Sequence, residues 1–133
     1  MMISTKGRYA VRIMLELAAH TDGELVPLSD IARHQQISLK YLEAIVAALK
    51  NAGLITGMRG KSGGYRLNRS PSDYTLREIL TVTENGLVPV NCACLTGEGE
   101  CERAEDCRVM PVWLGLDKVI CEYLDGITLA DLD

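Results

Sequence analysis

The sequence predicts a mainly α chain with a small β wing, a winged helix-turn-helix domain followed by a long C-terminal helix. Three observations predict it. Between Leu28 and Ala52, two segments with helical apolar spacing are separated by a short break, and a glycine-rich hairpin with a basic tip follows directly. Charge is also divided: residues 1–70 hold ten Lys/Arg against five Asp/Glu, net +5, while residues 71–133 hold four against thirteen, net -9. A basic half suits a polyanion such as DNA, and an acidic half is repelled by it and faces away.

From Lys6 to about His20, the residues Ala10, Ile13, Met14, Leu17 and Ala18 recur at the offsets of one helical face, which predicts an amphipathic first helix. After the turn TDGELVP, the segment LSDIARHQQ carries Leu28, Ile31 and Ala32 on a short apolar face, with Ser29 or Asp30 placed to cap or charge its first turn. Ser38 suits the N-cap of a third helix, LKYLEAIVAALKNA, with Leu42, Ile45, Val46 and Leu49 inward and Gly53 in place for a left-handed stop. In GLITGMRGKSGGYRLNR, short apolar runs flank a turn holding Arg59 and Lys61, with glycines that let its backbone approach a surface closely.

Thr75 and Glu78 make a capping box for TLREILTVTE, whose Leu76, Ile79 and Leu80 are expected to close the core. Pro111 fits the first turn of a last helix running to about Leu124, with Gly126 beyond its end. Val112, Leu116, Val119, Ile120 and Tyr123 share one side of it, and Trp113 and Leu114 lie off that side. The helix therefore has two apolar faces, one for its own subunit and one for a partner helix, which predicts a homodimer. The tail ITLADLD, with Thr128 able to cap a last turn, is expected to pack across that dimer.

Residues 91–107, NCACLTGEGECERAEDC, place Cys92, Cys94, Cys101 and Cys107 within sixteen positions, among two glycines and five carboxylates. Such a segment is too polar and glycine-rich for a long helix or a buried strand, so its thiols are expected to share one ligand or one redox partner on a loop. Cys121, on the last helix, reads as a buried small hydrophobe. No apolar stretch is long enough for a bilayer and the N-terminus lacks a signal-like apolar region, which predicts a cytoplasmic chain with no membrane partner. In that reducing compartment, clustered cysteines serve metal or cluster binding or redox sensing ahead of disulfides. No Ser/His/Asp set, phosphate loop or hydrolase motif occurs, so no catalytic residue is assigned and no enzyme is expected. The expected division is a winged helix-turn-helix DNA-binding domain over 1–84, a cysteine-rich loop over 85–110, and a dimerisation helix with its tail over 111–133.

Taken together, KGRYAV at 6–11, VPLSDIA, ISLKYLE, MRGKSGGYRL, the cysteines at 94, 101 and 107 and the closing ITLADL resemble the Rrf-type winged-helix transcriptional regulators. That resemblance, IscR-like in pattern, implies a homodimer that reads a palindromic operator in double-stranded DNA and holds an iron-sulfur cluster, 2Fe-2S or 4Fe-4S, beside the dimerisation helix. It places Ser38, Lys40, Tyr41 and Glu43 of the third helix and Arg59, Gly60 and Lys61 of the wing on DNA, and Cys94, Cys101 and Cys107 on the cluster. The chemistry suits those roles, with Ser38, Lys40 and the Tyr41 hydroxyl for phosphates, the Arg59 fork for a guanine edge or a narrow minor groove, and Glu43 for a cytosine amine.

The fourth ligand does not transfer. The histidine of the IscR-like pattern, three residues after the last cysteine, is Met110 here, and the acidic side chain at position 8 of the NsrR-like arrangement is Arg8. Cys92 is the first candidate, ahead of Met110, a carboxylate from Glu98 to Asp106, His34 or an exogenous ligand. Two other functions compete with a cluster-gated regulator: a zinc site or thiol switch on the same fold, and a cluster-free regulator acting through protein contacts. The cysteine spacings of one, six and five residues fit paired zinc ligands poorly.

Overall fold

The computed structural model describes residues 3–20 and 22–132. Helix α1 (Thr5–Ala18) starts at Ser4, whose hydroxyl accepts the Gly7 N–H. Its Ala10, Ile13, Met14 and Leu17 are buried at the predicted offsets. Helix α2 (Leu28–Gln35) has Pro27 at its N-cap and no side-chain cap, so neither Ser29 nor Asp30 caps it, although Asp30 lies in the first turn, where a carboxylate favours the dipole. Gln36, left-handed at φ 55°, ends it.

Helix α3 (Leu39–Asn51) is capped by Ser38, which accepts the Tyr41 N–H, and buries Leu42, Ile45, Val46 and Leu49. Its end is a Schellman turn: Gly53, at φ 77°, donates to the Lys50 carbonyl, and Leu54 donates to the Leu49 carbonyl. The turn delivers the chain into strand β1 (Ile55–Met58), which pairs antiparallel with β2 (Gly64–Leu67), Ile55 opposite Leu67 and Met58 opposite Gly64. Val26, expected in a turn, instead adds a single bridge to the far edge of β2, exchanging two backbone hydrogen bonds with Tyr65. Gly64 is required there, because a Cβ would run into the backbone of Val26 and Pro27.

A short 3₁₀ turn at Pro71–Asp73 leads to Tyr74, whose ring is fully buried. Helix α4 (Leu76–Thr83) is capped by Thr75, which accepts the Glu78 N–H. The expected capping box is only half formed, because the Glu78 carboxylate turns to Arg69 at 2.7 Å. Ile79 and Leu80 are buried and Leu76 is half-buried. The loop after α4 contains one helical turn, α5 (Ala93–Thr96), stopped by left-handed Gly97. Helix α6 (Met110–Asp125) then returns to the head, where Asp125 pairs with Arg77 of α4 at 2.9 Å.

The tail does not extend away from its own head. Thr128 bridges Thr75, Leu129 donates to the Tyr74 carbonyl, and the Leu129 side chain is fully buried in the one core cluster to which α1, α3 and α4 also contribute. Burial of one such leucine contributes about 1.5–3 kcal/mol. The Asp131 carboxylate accepts the Thr128 N–H and hydroxyl, which hold its pKa below the ordinary carboxylate range and close the last 3₁₀ turn, Leu129–Leu132.

Candidate nucleic-acid interface and cysteine loop

Because the Schellman turn aims β1 back beside the start of α3, the wing tip and the first turns of α3 face one open groove. It is lined by Leu28 and Ser29 from α2, Leu39 and Glu43 from α3, and Met58 through Lys61 from the wing. The structure thus brings Glu43 together with Arg59, Gly60 and Lys61, all exposed. Gly60 has φ 111°, a conformation that a side chain would strain. Ser38 and Lys40 are exposed beside the groove; the Ser38 oxygen accepts the Tyr41 N–H at 3.3 Å and leaves its own O–H free to donate outward.

Tyr41 is half-buried and packs edge-on against Tyr9 of α1, ring centroids 5.9 Å apart, with the Arg12 guanidinium over the far ring at 5.2 Å. Arg12 also donates to the side chain and the carbonyl of Gln35 at the end of α2. The turn that enters α3 is therefore held from α1. His34 belongs to the same polar set, its Nδ1 2.6 Å from the Glu16 carboxylate, to which the Gln35 side chain also donates. His20 stands 3.7 Å from Glu24.

In the cysteine loop, Cys94 and Cys101 are exposed and line one hollow with Gly99, Glu100 and Glu105. Cys107 is half-buried and lines the next hollow with Asp106 and Val109, at the approach to α6. Cys92, also half-buried, is the N-cap of α5. Among the described residues, no three His, Cys, Asp or Glu side chains stand close enough to hold a metal ion. The donors nonetheless suit an iron-sulfur cluster in kind, with four thiols on one glycine-containing loop that has few partners of its own. Cys121 is half-buried rather than buried, because α6 leaves one side uncovered.

That uncovered side is continuous. Trp113, Asp117, Ile120, Cys121 and Leu124 are half-buried, while Val109, Val112, Leu116, Val119 and Tyr123 are exposed at alternating intervals of three and four residues. This is the spacing of a helix-pairing seam. No described helix is long and apolar enough to cross a membrane.

Three residues of functional interest have side-chain roles that the sequence does not mark. Leu39 and Met58 lie within ISLKYLE and MRGKSGGYRL, but nothing in those segments shows that their side chains are exposed, and the reach of Glu84 to Ser4 spans eighty positions.

A family model described as Rrf2, iron-dependent transcriptional regulator, matches residues 3–132. The HTH-type transcriptional regulator IscR of Vibrio campbellii is 36% identical over 132 residues, 99% of this chain and 77% of that one. Among solved structures, CymR, the global cysteine regulator of B. subtilis, is similar at a TM-score of 0.82 with 36% identity, covering 99% of this chain and 95% of that one. T. potens IscR is similar at 0.73 with 37% identity, covering 99% and 85%.

Proposed function

The chain belongs to the Rrf2 family of transcriptional regulators, and from that premise we propose that it binds an operator in duplex DNA as a homodimer under control of its cysteine loop. The groove that gathers Glu43, Arg59, Gly60 and Lys61 on the basic half of the chain carries this reading. Ser38, Lys40 and Tyr41 position the head on phosphates, and Arg59 and Glu43 reach base edges. The exposed seam of α6 pairs with its copy in the partner subunit, which sets two heads at a fixed spacing.

For the loop, Cys94, Cys101 and Cys107 would hold an iron-sulfur cluster, with Cys92 as fourth ligand. Such a group supplies an occupancy that follows iron supply and oxidant. The loop itself supplies soft donors and enough slack for Cys107 to join the hollow of Cys94 and Cys101. A second reading, a thiol switch or zinc site on the same four cysteines, is favoured by their standing as free, partly exposed thiols and by the likeness to the cysteine regulator.

One preparation separates the two. Protein purified without air should be coloured, with iron and sulfide in stoichiometric amount per chain, and should select a symmetric duplex from random sequence. A colourless protein with zinc or free thiols that still selects DNA supports the second reading, and failure to select any duplex removes both.

A further inference from the structure

Among the described residues from 3 to 84, every large apolar side chain is buried or half-buried except two: Leu39, 49% exposed, and Met58, 56% exposed. They come from different elements, the first residue of α3 and the last of β1, yet line the same groove as Glu43, Arg59 and Lys61. An exposed leucine on its own is ordinary. Leu39 and Met58 together, lining one groove with two cations, give a polyanion-binding surface an apolar floor.

We propose that Leu39 and Met58 read the C5-methyl groups of thymine in the major groove. This rests on the DNA-binding reading above and adds a specificity element to it. The major groove presents one apolar group among its hydrogen-bonding edges, the thymine methyl, and aliphatic side chains recognise it. A protein partner would have to bury Glu43, Arg59 and Lys61 beside the same floor, whereas a duplex offers phosphates to the cations, an amino group to the carboxylate and methyls to the floor. Leu39 and Glu43 are four residues apart and so share a face of α3, about 6 Å along its axis. At 3.4 Å per base pair, a methyl read by Leu39 lies about one to two pairs from the base whose amino group Glu43 accepts.

The test uses the full chain and the duplex it selects, with each thymine replaced singly by deoxyuridine, which deletes only the methyl. Native protein should lose about four-fold in affinity at one or two positions per half-site, the equivalent of one buried methylene. Leu39→Ala and Met58→Ala, each at an exposed site, should each abolish the thymine-to-uracil ratio at one of those positions while retaining preference for the operator over random DNA. A native protein that binds the operator specifically but does not distinguish uracil from thymine anywhere overturns the inference and leaves the DNA reading intact. Ratios unchanged in both variants also overturn it, and leave the floor to a protein partner. If no duplex is selected, the DNA reading fails and takes this inference with it.

Discussion

Glu84 accepts both the backbone N–H of Ser4, at 3.0 Å, and its hydroxyl, at 2.7 Å. Ser4 is the N-cap of α1, and Glu84 is the residue at which α4 ends and the cysteine loop begins. Gly7 leaves the room for this, since a Cβ at that position would meet the Glu84 carboxylate. The glycine of KGRYAV thus has a packing reason. Glu84→Ala should cost about 1–2 kcal/mol, the worth of a helix cap and its charged hydrogen bond, and Glu84→Gln less. Urea unfolding measures both; an unchanged midpoint for Glu84→Ala would mean that the contact holds nothing in place.

Tyr74 joins the base of the wing to the rest of the head. Its hydroxyl donates to the Leu54 carbonyl at 2.7 Å and accepts the N–H groups of Asn68 and Arg69 at 2.8 and 3.0 Å. Arg69 also stacks over its ring at 4.2 Å. Tyr74→Phe keeps ring, burial and stack, and so isolates the hydroxyl. It should destabilise by about 2–3 kcal/mol with an unchanged urea slope, because a buried carbonyl loses its donor and two N–H groups lose their acceptor. A loss under about 0.5 kcal/mol would show that water replaces the hydroxyl.

The elements around these contacts were legible where a period or a cap writes them. α1, α3 and the wing follow from Ala10 to Leu17, from Ser38 with Gly53, and from the glycines about Arg59. A single bridging residue such as Val26 has no period to read, and Glu78 left its box because Arg69, distant in sequence terms from any helix pattern, competes for the carboxylate. For α6 the sequence contained both apolar faces but not their assignment, since Ile120 and Val119 look alike until one of them meets the head. The tail ITLADLD is expected across a dimer, yet its Leu129 lies in the core of its own head, because so short a segment carries too little pattern to say which surface takes it. The thiol cluster was legible as a composition; its arrangement was not, because few contacts beyond the loop determine it.

The seam of α6 makes an assembly prediction. Val119 is 61% and Tyr123 68% exposed, so this face is uncovered in the single chain. Leu116→Glu, at the middle of the seam, should convert a dimer to a monomer at micromolar concentration while retaining the helical circular dichroism of the head, because burying the new charge against its copy is costly. Sedimentation equilibrium reads it. A variant that remains dimeric would move the subunit contact elsewhere.

Arg59 and Lys61 stand two residues apart on one tip, yet their roles should separate. Arg59→Ala should cost about 1–3 kcal/mol on operator and relax its sequence preference, as loss of a base contact does. Lys61→Ala should weaken all duplexes alike and reduce the salt slope by about one, as loss of one phosphate contact does. Salt titrations of both variants on operator and random DNA decide the matter. Equal losses on the two duplexes for Arg59→Ala would leave it a phosphate contact.

The last prediction concerns what ordering the cysteine loop does to the heads. The loop and α6 together run between two posts on the head: Glu84 tied to Ser4 where the loop begins, and Arg77 of α4 tied to Asp125 where α6 ends. Drawing Cys94, Cys101 and Cys107 onto one ligand would shorten the reach of the loop between Glu84 and the start of α6, so the change should appear in the placement of α6 on the head, the element proposed to space one head from the next. Loop state should therefore change operator affinity, and by linkage operator must change the retention of whatever the loop holds, by the same factor, typically equivalent to about 1–3 kcal/mol. Operator affinity would be measured without air for native protein, protein stripped by chelator, and Cys101→Ala, followed by chelator titrations at equilibrium with operator and with random DNA. Operator should shift retention and random DNA should not. Arg77→Ala, which frees one post, should reduce the coupling without removing DNA binding. Equal affinity in all three forms would leave the cysteines no part in gating, and an undiminished coupling in Arg77→Ala would mean that the signal passes to the head by the Glu84 side alone.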